Sequence, residues 1–161
     1  MIAPKLPSYK NFNKATYPWK PSIDYRKNPE SYRVGRGEQG VLICEPYKSE
    51  IVSHWRFKTP EIAAKSSQVI YSLFLDYLAK RDFVGADMAR KFLQMGFTRA
   101  KRYANYAGGK KYASFTYEHL PKGTGEASKL LCSQIFYDKW QLAEKNQVYK
   151  QMKEQWKQHF G

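Results

Sequence analysis

The feature that most constrains the fold is a helix start followed by a long run of helically spaced apolar residues. Thr59 is suited to cap a helix, Pro60 fits the first helical position, and Glu61 favours the positive end of a helix. Apolar residues then recur at helical spacing, as on one face of an α-helix. They are Ile62, Val69, Ile70, Leu73, Phe74, Tyr77 and Leu78. The pattern predicts one helix that runs to about Arg81 and forms the spine of the core.

Further helices are predicted on the C-terminal side of this spine. Residues 87–95 favour a second helix, Gly96 is predicted to interrupt it, and residues 98–106 favour a third. Residues 113–117, inside a glycine-rich loop, are predicted to form a strand. The spacing of apolar residues is helical again from 126 to 160, where we expect two helices divided at Asn146.

The N-terminal third of the chain reads differently. Residues 1–32 contain five prolines without helical period, so we expect an extended arm whose aromatic residues pack on the body. The short apolar run at residues 41–44 predicts a strand, and residues 32–34 are predicted to pair with it as a hairpin. The expected fold class is therefore α+β, mainly α. It comprises a single compact domain at residues 33–161 with a small β hairpin and about five helices.

Size and cysteine content limit the possible classes of protein. A chain of 161 residues can bury a hydrophobic core without the help of disulfide bonds. Its content of 42% hydrophobic residues argues against disorder. Cys44 and Cys132 are too few for a disulfide scaffold or a zinc site, and both are expected to be buried thiols. Three scattered histidines give no metal-ligand spacing, so we expect no metal and no cofactor. Because no secretory signal or membrane span is evident, we expect a cytoplasmic protein.

Charge supplies the main functional indication. The formal net charge is +14, and residues 90–117 contain no Asp or Glu. A cluster of cations without internal neutralisation attracts polyanions, and aromatic residues among the cations offer stacking faces for bases. We therefore expect nucleic-acid binding that is directed mainly at phosphates and has weak sequence specificity. An anionic membrane surface is the less favoured partner, and a solvated basic surface without a ligand is the simplest alternative.

The candidate nucleic-acid residues follow from this pattern. Cations in the acid-free stretch are expected to position the phosphate backbone: Arg90, Lys91, Arg99, Lys101, Arg102, Lys110 and Lys111. Three tyrosines are candidates to stack on bases, namely Tyr103, Tyr106 and Tyr112. Arg36 and Arg56, which lie earlier in the chain, are expected to extend the footprint.

Residues 92–98 (FLQMGFT) are similar to the middle of a helix-turn-helix. A glycine in the turn, followed by an apolar residue and by Thr98 as a cap, is the chemistry of that motif. Two positions depart from it: Phe92 stands where a small residue is usual, and Arg102 stands where an apolar residue is usual. An ordinary corner between two helices is the favoured alternative.

Residues 35–58 raise the possibility of an enzyme. Residues 35–40 match G-x-G-x-x-G, but a strand is expected to follow them, whereas a dinucleotide site needs a helix there. An enzyme acting on nucleic acid or a phosphorylated substrate would need Glu38, Glu45, His54 and Arg56 to converge. No catalytic spacing supports this, so the sequence leans against an enzyme. A third alternative is an interaction protein that docks an acidic host or virion partner.

Several blocks of sequence resemble a known family. They are residues 36–42 (RGEQGVL), 45–50 (EPYKSE), 54–60 (HWRFKTP), 82–85 (DFVG), 88–96 (MARKFLQMG) and 98–100 (TRA). Together they resemble a domain-of-unknown-function family of small basic proteins from tailed phages, including those of cyanobacteria, and from bacteria and fungi. The resemblance extends over about residues 30–115. It implies no activity, cofactor or catalytic residue, and it is compatible with a phage or microbial cytoplasmic setting.

Overall fold

A computed structural model of the chain describes residues 20–34, 41–105 and 128–160. Within these ranges the fold is built from α-helices and two short 3-10 helices, at Pro29–Ser31 and Val41–Ile43. The α-helices are α1 (Tyr47–Val52), α2 (Pro60–Ala79), α3 (Phe83–Asn105), α4 (Ser128–Lys145) and α5 (Gln147–Phe160). Three long helices, α2, α3 and α4, pack on one another, and α1 and α5 pack against α3.

The predicted spine helix is confirmed as α2. The Thr59 side chain accepts a hydrogen bond from the backbone N–H of Ile62 at 3.2 Å, which satisfies a donor of the first turn. Ile70, Phe74 and Leu78 lie in the core. The helix ends at Ala79, and Arg81 adopts a left-handed backbone conformation with φ of 59°.

The helix–turn–helix corner predicted at Gly96 is wrong, because α3 continues through it from Phe83 to Asn105. Gly96 lies where α3 crosses α4: a Cβ atom here would sit 2.5 Å from Cγ of Phe136 and 2.6 Å from its Cε1. The glycine therefore permits close approach of two helices and does not end one. Every residue from 83 to 93 is buried, which makes the first half of α3 the centre of the core.

The predicted β hairpin and the α+β class are also wrong. Residues 32–34 form no strand, and residues 41–43 form a 3-10 helix, so the described ranges are entirely helical or irregular. A short apolar run can be buried as a helical turn as well as a strand. Here Val41, Ile43 and Cys44 are buried beside α1 and α3. The strand suggested at residues 113–117 lies outside the described residues.

The predicted division of the C-terminal segment is confirmed. Asn146 separates α4 from α5, and its Oδ1 accepts a hydrogen bond from the backbone N–H of Tyr149 at 3.0 Å. This side chain caps α5 in the way expected of an N-cap asparagine. The two cysteines, Cys44 and Cys132, are buried free thiols, as predicted.

Residues 20–34 pack on the helical body. Tyr25 and Tyr32 are fully buried, and the backbone N–H of Tyr25 donates to the carbonyl oxygen of Glu45 at 3.0 Å. The indole Nε1 of Trp156 in α5 donates to the carbonyl oxygen of Tyr32 at 2.9 Å. This part of the predicted arm therefore belongs to the core. The earlier aromatic residues of the arm lie outside the described residues.

Candidate nucleic-acid interface

The last two turns of α3 present several cations to solvent. Arg99, Lys101 and Arg102 are exposed, and the Tyr103 side chain is 39% exposed. Arg99 and Tyr103 are four residues apart, so they lie on the same face of the helix. Cations near the C-terminus of a helix also interact favourably with the helix dipole, which gives these residues a structural contribution of their own.

The segment between α1 and α2 lies against this end of α3. The guanidinium carbon of Arg99 lies 5.2 Å from the centre of the Trp55 ring, which in turn contacts the ring of Phe92. Phe57 and Tyr103 have ring centres 6.3 Å apart. These contacts bring the exposed side chains of Arg56 and Lys58 to the same end of the molecule as Arg99.

Hydrogen bonds fix the shape of this segment. Ser66 Oγ in α2 accepts from the backbone N–H of Arg56 at 2.9 Å and donates to the carbonyl oxygen of His54 at 2.6 Å. Lys129 at the start of α4 is buried and donates to the carbonyl oxygens of Phe57 at 3.0 Å and Lys58 at 2.5 Å. A segment anchored in this way loses little backbone conformational entropy on binding.

We define the α3-end surface as these exposed cations together with the aromatic residues beside them. Its cations are Arg56, Lys58, Arg99, Lys101 and Arg102, and its aromatic residues are Trp55, Phe57 and Tyr103. Among the described residues, no carboxylate forms an ion pair with any of these five cations. Exposed Arg26, by contrast, pairs with Glu50 at 2.6 Å. The α3-end surface thus carries positive charge that the described part of the protein leaves uncompensated.

Arg90 and Lys91, predicted as phosphate contacts, lie inside the core. Arg90 is 6% exposed and Lys91 is 0% exposed. Arg90 Nε donates to Asp87 Oδ1 at 3.0 Å, and its Nη1 donates to Glu144 Oε1 at 3.0 Å. Tyr149 donates a further hydrogen bond to Asp87 at 2.7 Å. Both cations therefore serve a buried charged cluster, and neither belongs to the surface.

The pKa values of Asp87 and Lys91 in this buried cluster are both lowered. Burial alone would raise the pKa of Asp87, but the charges of Arg90 and Lys91 and the tyrosine hydrogen bonds lower it to about 2. Burial lowers the pKa of Lys91 to about 8, against the opposing effect of Asp87. Asp87 is thus held as a carboxylate, whereas the charged form of Lys91 is disfavoured by the fold.

The lowered pKa of Lys91 predicts a dependence of stability on pH. Between pH 8 and pH 9 the folded state binds fewer protons at Lys91 than the unfolded state, whose pKa is near 10.5. Lys91 alone should therefore raise the free energy of unfolding by about 1 kcal/mol between these pH values, whereas the raised pKa values of the buried Cys44 and Cys132 thiols lower it in the same window. Urea unfolding at the two pH values should give a change about 1 kcal/mol more positive in the native chain than in Lys91→Met. A control in which exposed Lys145 is replaced by methionine should change as the native chain does. Equal changes in all three proteins would contradict the prediction.

Five of the predicted residues are assigned neither to the α3-end surface nor to the buried charged cluster. Arg36, Tyr106, Lys110, Lys111 and Tyr112 lie outside the described residues. The α3-end surface therefore rests on four predicted residues, Arg56, Arg99, Lys101 and Arg102, together with predicted Tyr103.

A comparison with protein families matched a model described as a domain of unknown function (DUF4385), over residues 17–159. The chain belongs to this family. Comparisons with curated proteins and with solved structures returned no significant match. The resemblance noted in the sequence is thus confirmed at the level of an uncharacterised family.

In this member of the DUF4385 family, sequence reasoning missed part of the surface. Trp55, Phe57 and Lys58 were not among the site residues predicted from the sequence, whereas the structure places this segment beside Arg99 and Tyr103. Their contacts depend on how α2 and α3 pack, which local patterns do not encode. The available signal was the alternation of aromatic and basic side chains in residues 54–58, which resembles that of the acid-free stretch.

The residues of the enzyme alternative do not form a cluster in the described part of this DUF4385 protein. Glu45 accepts hydrogen bonds from the backbone N–H and the hydroxyl of Ser49, at 2.9 and 2.5 Å. His54 and Arg56 are exposed, and no hydrogen bond or ion pair joins either of them to Glu45 within the described ranges. Glu38 lies outside those ranges. The described residues also contain no group of three potential metal ligands and no helix long and apolar enough to cross a membrane.

Proposed function

We propose that this protein binds nucleic acid through the phosphate backbone, using the α3-end surface. The observation that carries the proposal is the set of five exposed cations that have no ion-pair partner among the described residues. Uncompensated cations on one end of a protein create a positive potential that attracts polyanions. Phosphates are the ligands that such a surface would neutralise, with release of bound counterions.

The arrangement of these cations supports contacts to a phosphate backbone. Arg56 and Lys58 lie on the anchored segment, whereas Arg99 and Arg102 lie on the end of α3. Arginine guanidinium groups match the geometry of phosphate oxygens in two-point hydrogen bonds. Because these contacts carry no sequence information, binding should show weak sequence preference.

Charge reversal on the surface should weaken binding. In a Lys58→Glu/Arg102→Glu variant, two phosphate contacts are lost and two repulsions are introduced. We expect affinity for labelled oligonucleotides to fall about tenfold or more at low salt. The slope of log K against log salt should become less steep by about two. Fluorescence anisotropy over a salt series, with single-stranded and duplex oligonucleotides, measures both quantities.

A matched control separates a local effect from a general effect of charge. Lys145 and Lys150 are exposed near the junction of α4 and α5, close to the end of α3 that carries Arg90. Since helical residues rise 1.5 Å each, Arg90 and Arg102 are about 18 Å apart along α3. Lys145→Glu/Lys150→Glu makes the same change in net charge and should bind nearly as well as the native chain. Equal weakening in both double variants, or no binding at low salt, would overturn the proposal. Circular dichroism establishes that each variant is folded.

A further inference from the structure

A groove lies at the opposite end of α3 from the α3-end surface. It has a volume of about 280 Å³ and lies between the start of α3 and the last turns of α5. Its lining residues are Arg81, Phe83, Met152, Gln155, Trp156, His159 and Phe160. Drug-sized ligands occupy sites of about 300–1,000 Å³, so this groove suits a smaller molecule.

The residue type at the edge of the groove is unusual for its backbone conformation. Arg81 follows the end of α2 with φ of 59°, a left-handed conformation that glycine commonly supplies at this position. The backbone N–H of Asp82 donates to the carbonyl oxygen of Tyr77 at 2.8 Å, and that of Arg81 donates to the carbonyl oxygen of Leu78 at 3.0 Å. The turn itself is thus ordinary, and only its residue type is unexpected. Arginine here costs free energy that glycine would avoid.

The described part of the chain gives no structural reason for a cation at this position. A positive charge near the C-terminus of α2 interacts favourably with the helix dipole, but exposed Lys80 already supplies one. Within the described ranges, Arg81 is exposed and takes part in no ion pair. An unfavourable backbone conformation at a residue that lines a groove suggests a binding role.

The floor of the groove is aromatic. Phe83 and Trp156 are stacked with ring centres 5.2 Å apart, and the ring centres of Trp156 and Phe160 are 4.8 Å apart. The Trp156 indole is held in place by its hydrogen bond to the carbonyl oxygen of Tyr32. Phe83 is buried beneath Trp156, so Trp156 and Phe160 are the rings that a flat apolar ligand can contact. The thioether of Met152 adds a polarisable contact.

The rim of the groove is polar. His159 Nδ1 lies 2.9 Å from the carbonyl oxygen of Gln155, which can only accept, so Nδ1 carries a proton and Nε2 is the atom available to a ligand. The Arg81 guanidinium offers paired donors that match a carboxylate. We propose that the groove binds a small aromatic carboxylate, with its ring against Trp156 and Phe160 and its carboxylate at Arg81. This proposal is independent of nucleic-acid binding at the α3-end surface.

Indole-3-acetate, titrated by calorimetry at low salt, tests the proposal. We expect a Kd of about 1 mM or tighter, as suits a ligand of this size. The neutral analogue indole-3-acetamide should bind at least tenfold more weakly, because it lacks the carboxylate. Arg81→Gly should weaken indole-3-acetate binding by a similar factor. Its melting temperature should be equal to that of the native chain or about 2–4 °C higher, because glycine relieves the backbone strain.

Arg81→Gly is expected to weaken binding without lowering the melting temperature, and this combination makes the test specific. A variant that is at least as stable as the native chain cannot lose binding through unfolding. Lys80→Ala removes a neighbouring exposed cation without changing the groove, and it should bind indole-3-acetate as tightly as the native chain does. Equal losses in Lys80→Ala and Arg81→Gly would show attraction by overall charge and would overturn the proposal. Equal binding of the acid and the amide, or no binding of either, would also overturn it.

Discussion

Asp87→Asn should lower the free energy of unfolding by about 3–5 kcal/mol. The Asp87 carboxylate is fully buried and pairs with Arg90, and it also accepts hydrogen bonds from the hydroxyls of Tyr32 and Tyr149. Asparagine has nearly the same shape, but it leaves the buried Arg90 guanidinium, which cannot release its proton, without this counter-charge. Removal of one partner from a buried ion pair is costly because the other remains desolvated. Urea unfolding followed by circular dichroism measures the loss.

Two further variants define the source of this effect. Tyr149→Phe removes one hydrogen bond to Asp87 and should cost about 1–2 kcal/mol. Glu144→Gln removes the second, partly exposed partner of Arg90 and should cost about 1 kcal/mol or less. A loss below about 1 kcal/mol in Asp87→Asn would contradict a stabilising role for the buried cluster.

The contribution of Asp87 to stability should also depend on pH in acid. The pKa of Asp87 in the folded state is about 2, below the value of 3.8 expected of an unperturbed side chain. Because the folded-state pKa is lowered, the stabilisation is complete above about pH 4 and is lost as pH falls through about 2. The native chain should therefore lose stability more steeply than Asp87→Asn in this acid window.

Gly96→Ala should destabilise the protein by about 1–3 kcal/mol. An added Cβ would lie 2.5 Å from Cγ of Phe136, and both groups are confined between α3 and α4. The sign of this change in the free energy of unfolding is informative. Alanine in place of a helical glycine without close contacts would instead stabilise the protein by about 1 kcal/mol. Urea midpoints of the native and variant proteins decide between the two signs.

A second substitution tests whether the clash with Phe136 is the cause. Phe136→Leu removes the ring that the new Cβ would meet, at the cost of a smaller buried side chain. In a double-mutant cycle, the pair Gly96→Ala and Phe136→Leu should cost less than the sum of the two single changes. Additive costs would show that the crossing of α3 and α4 does not determine the choice of glycine.

The parts of the fold that were predictable are those specified by local chemistry. Thr59 and Pro60 mark the start of α2, and Asn146 caps α5, because caps act through hydrogen bonds within a single turn. Gly96 was misread, since a glycine that ends a helix and one that admits a neighbouring ring look alike in sequence. The apolar run at residues 41–44 was misread for a related reason, because burial alone does not distinguish a strand from a helical turn.

The sequence predicted that the candidate site contains basic residues, but not which of these residues reach the surface. The acid-free stretch correctly drew attention to residues that prove exposed, such as Arg99 and Arg102. The same stretch includes Arg90 and Lys91, which are buried, because charge in a sequence does not reveal which face of a helix reaches solvent. Asp87, the carboxylate that makes their burial tolerable, lies just outside the acid-free stretch. Reading the charges together with the helical period would have placed Asp87 and Arg90 within one turn of each other.

The burial of Tyr25 and Tyr32 has a practical consequence for the design of expressed fragments. A fragment that begins at residue 33 would lack two fully buried aromatic side chains and one hydroxyl donor to Asp87. It would also lose the carbonyl acceptor for Trp156. Tags, fusion partners and protease cleavage sites therefore belong before Lys20, and the family match, which begins at residue 17, gives a compatible limit.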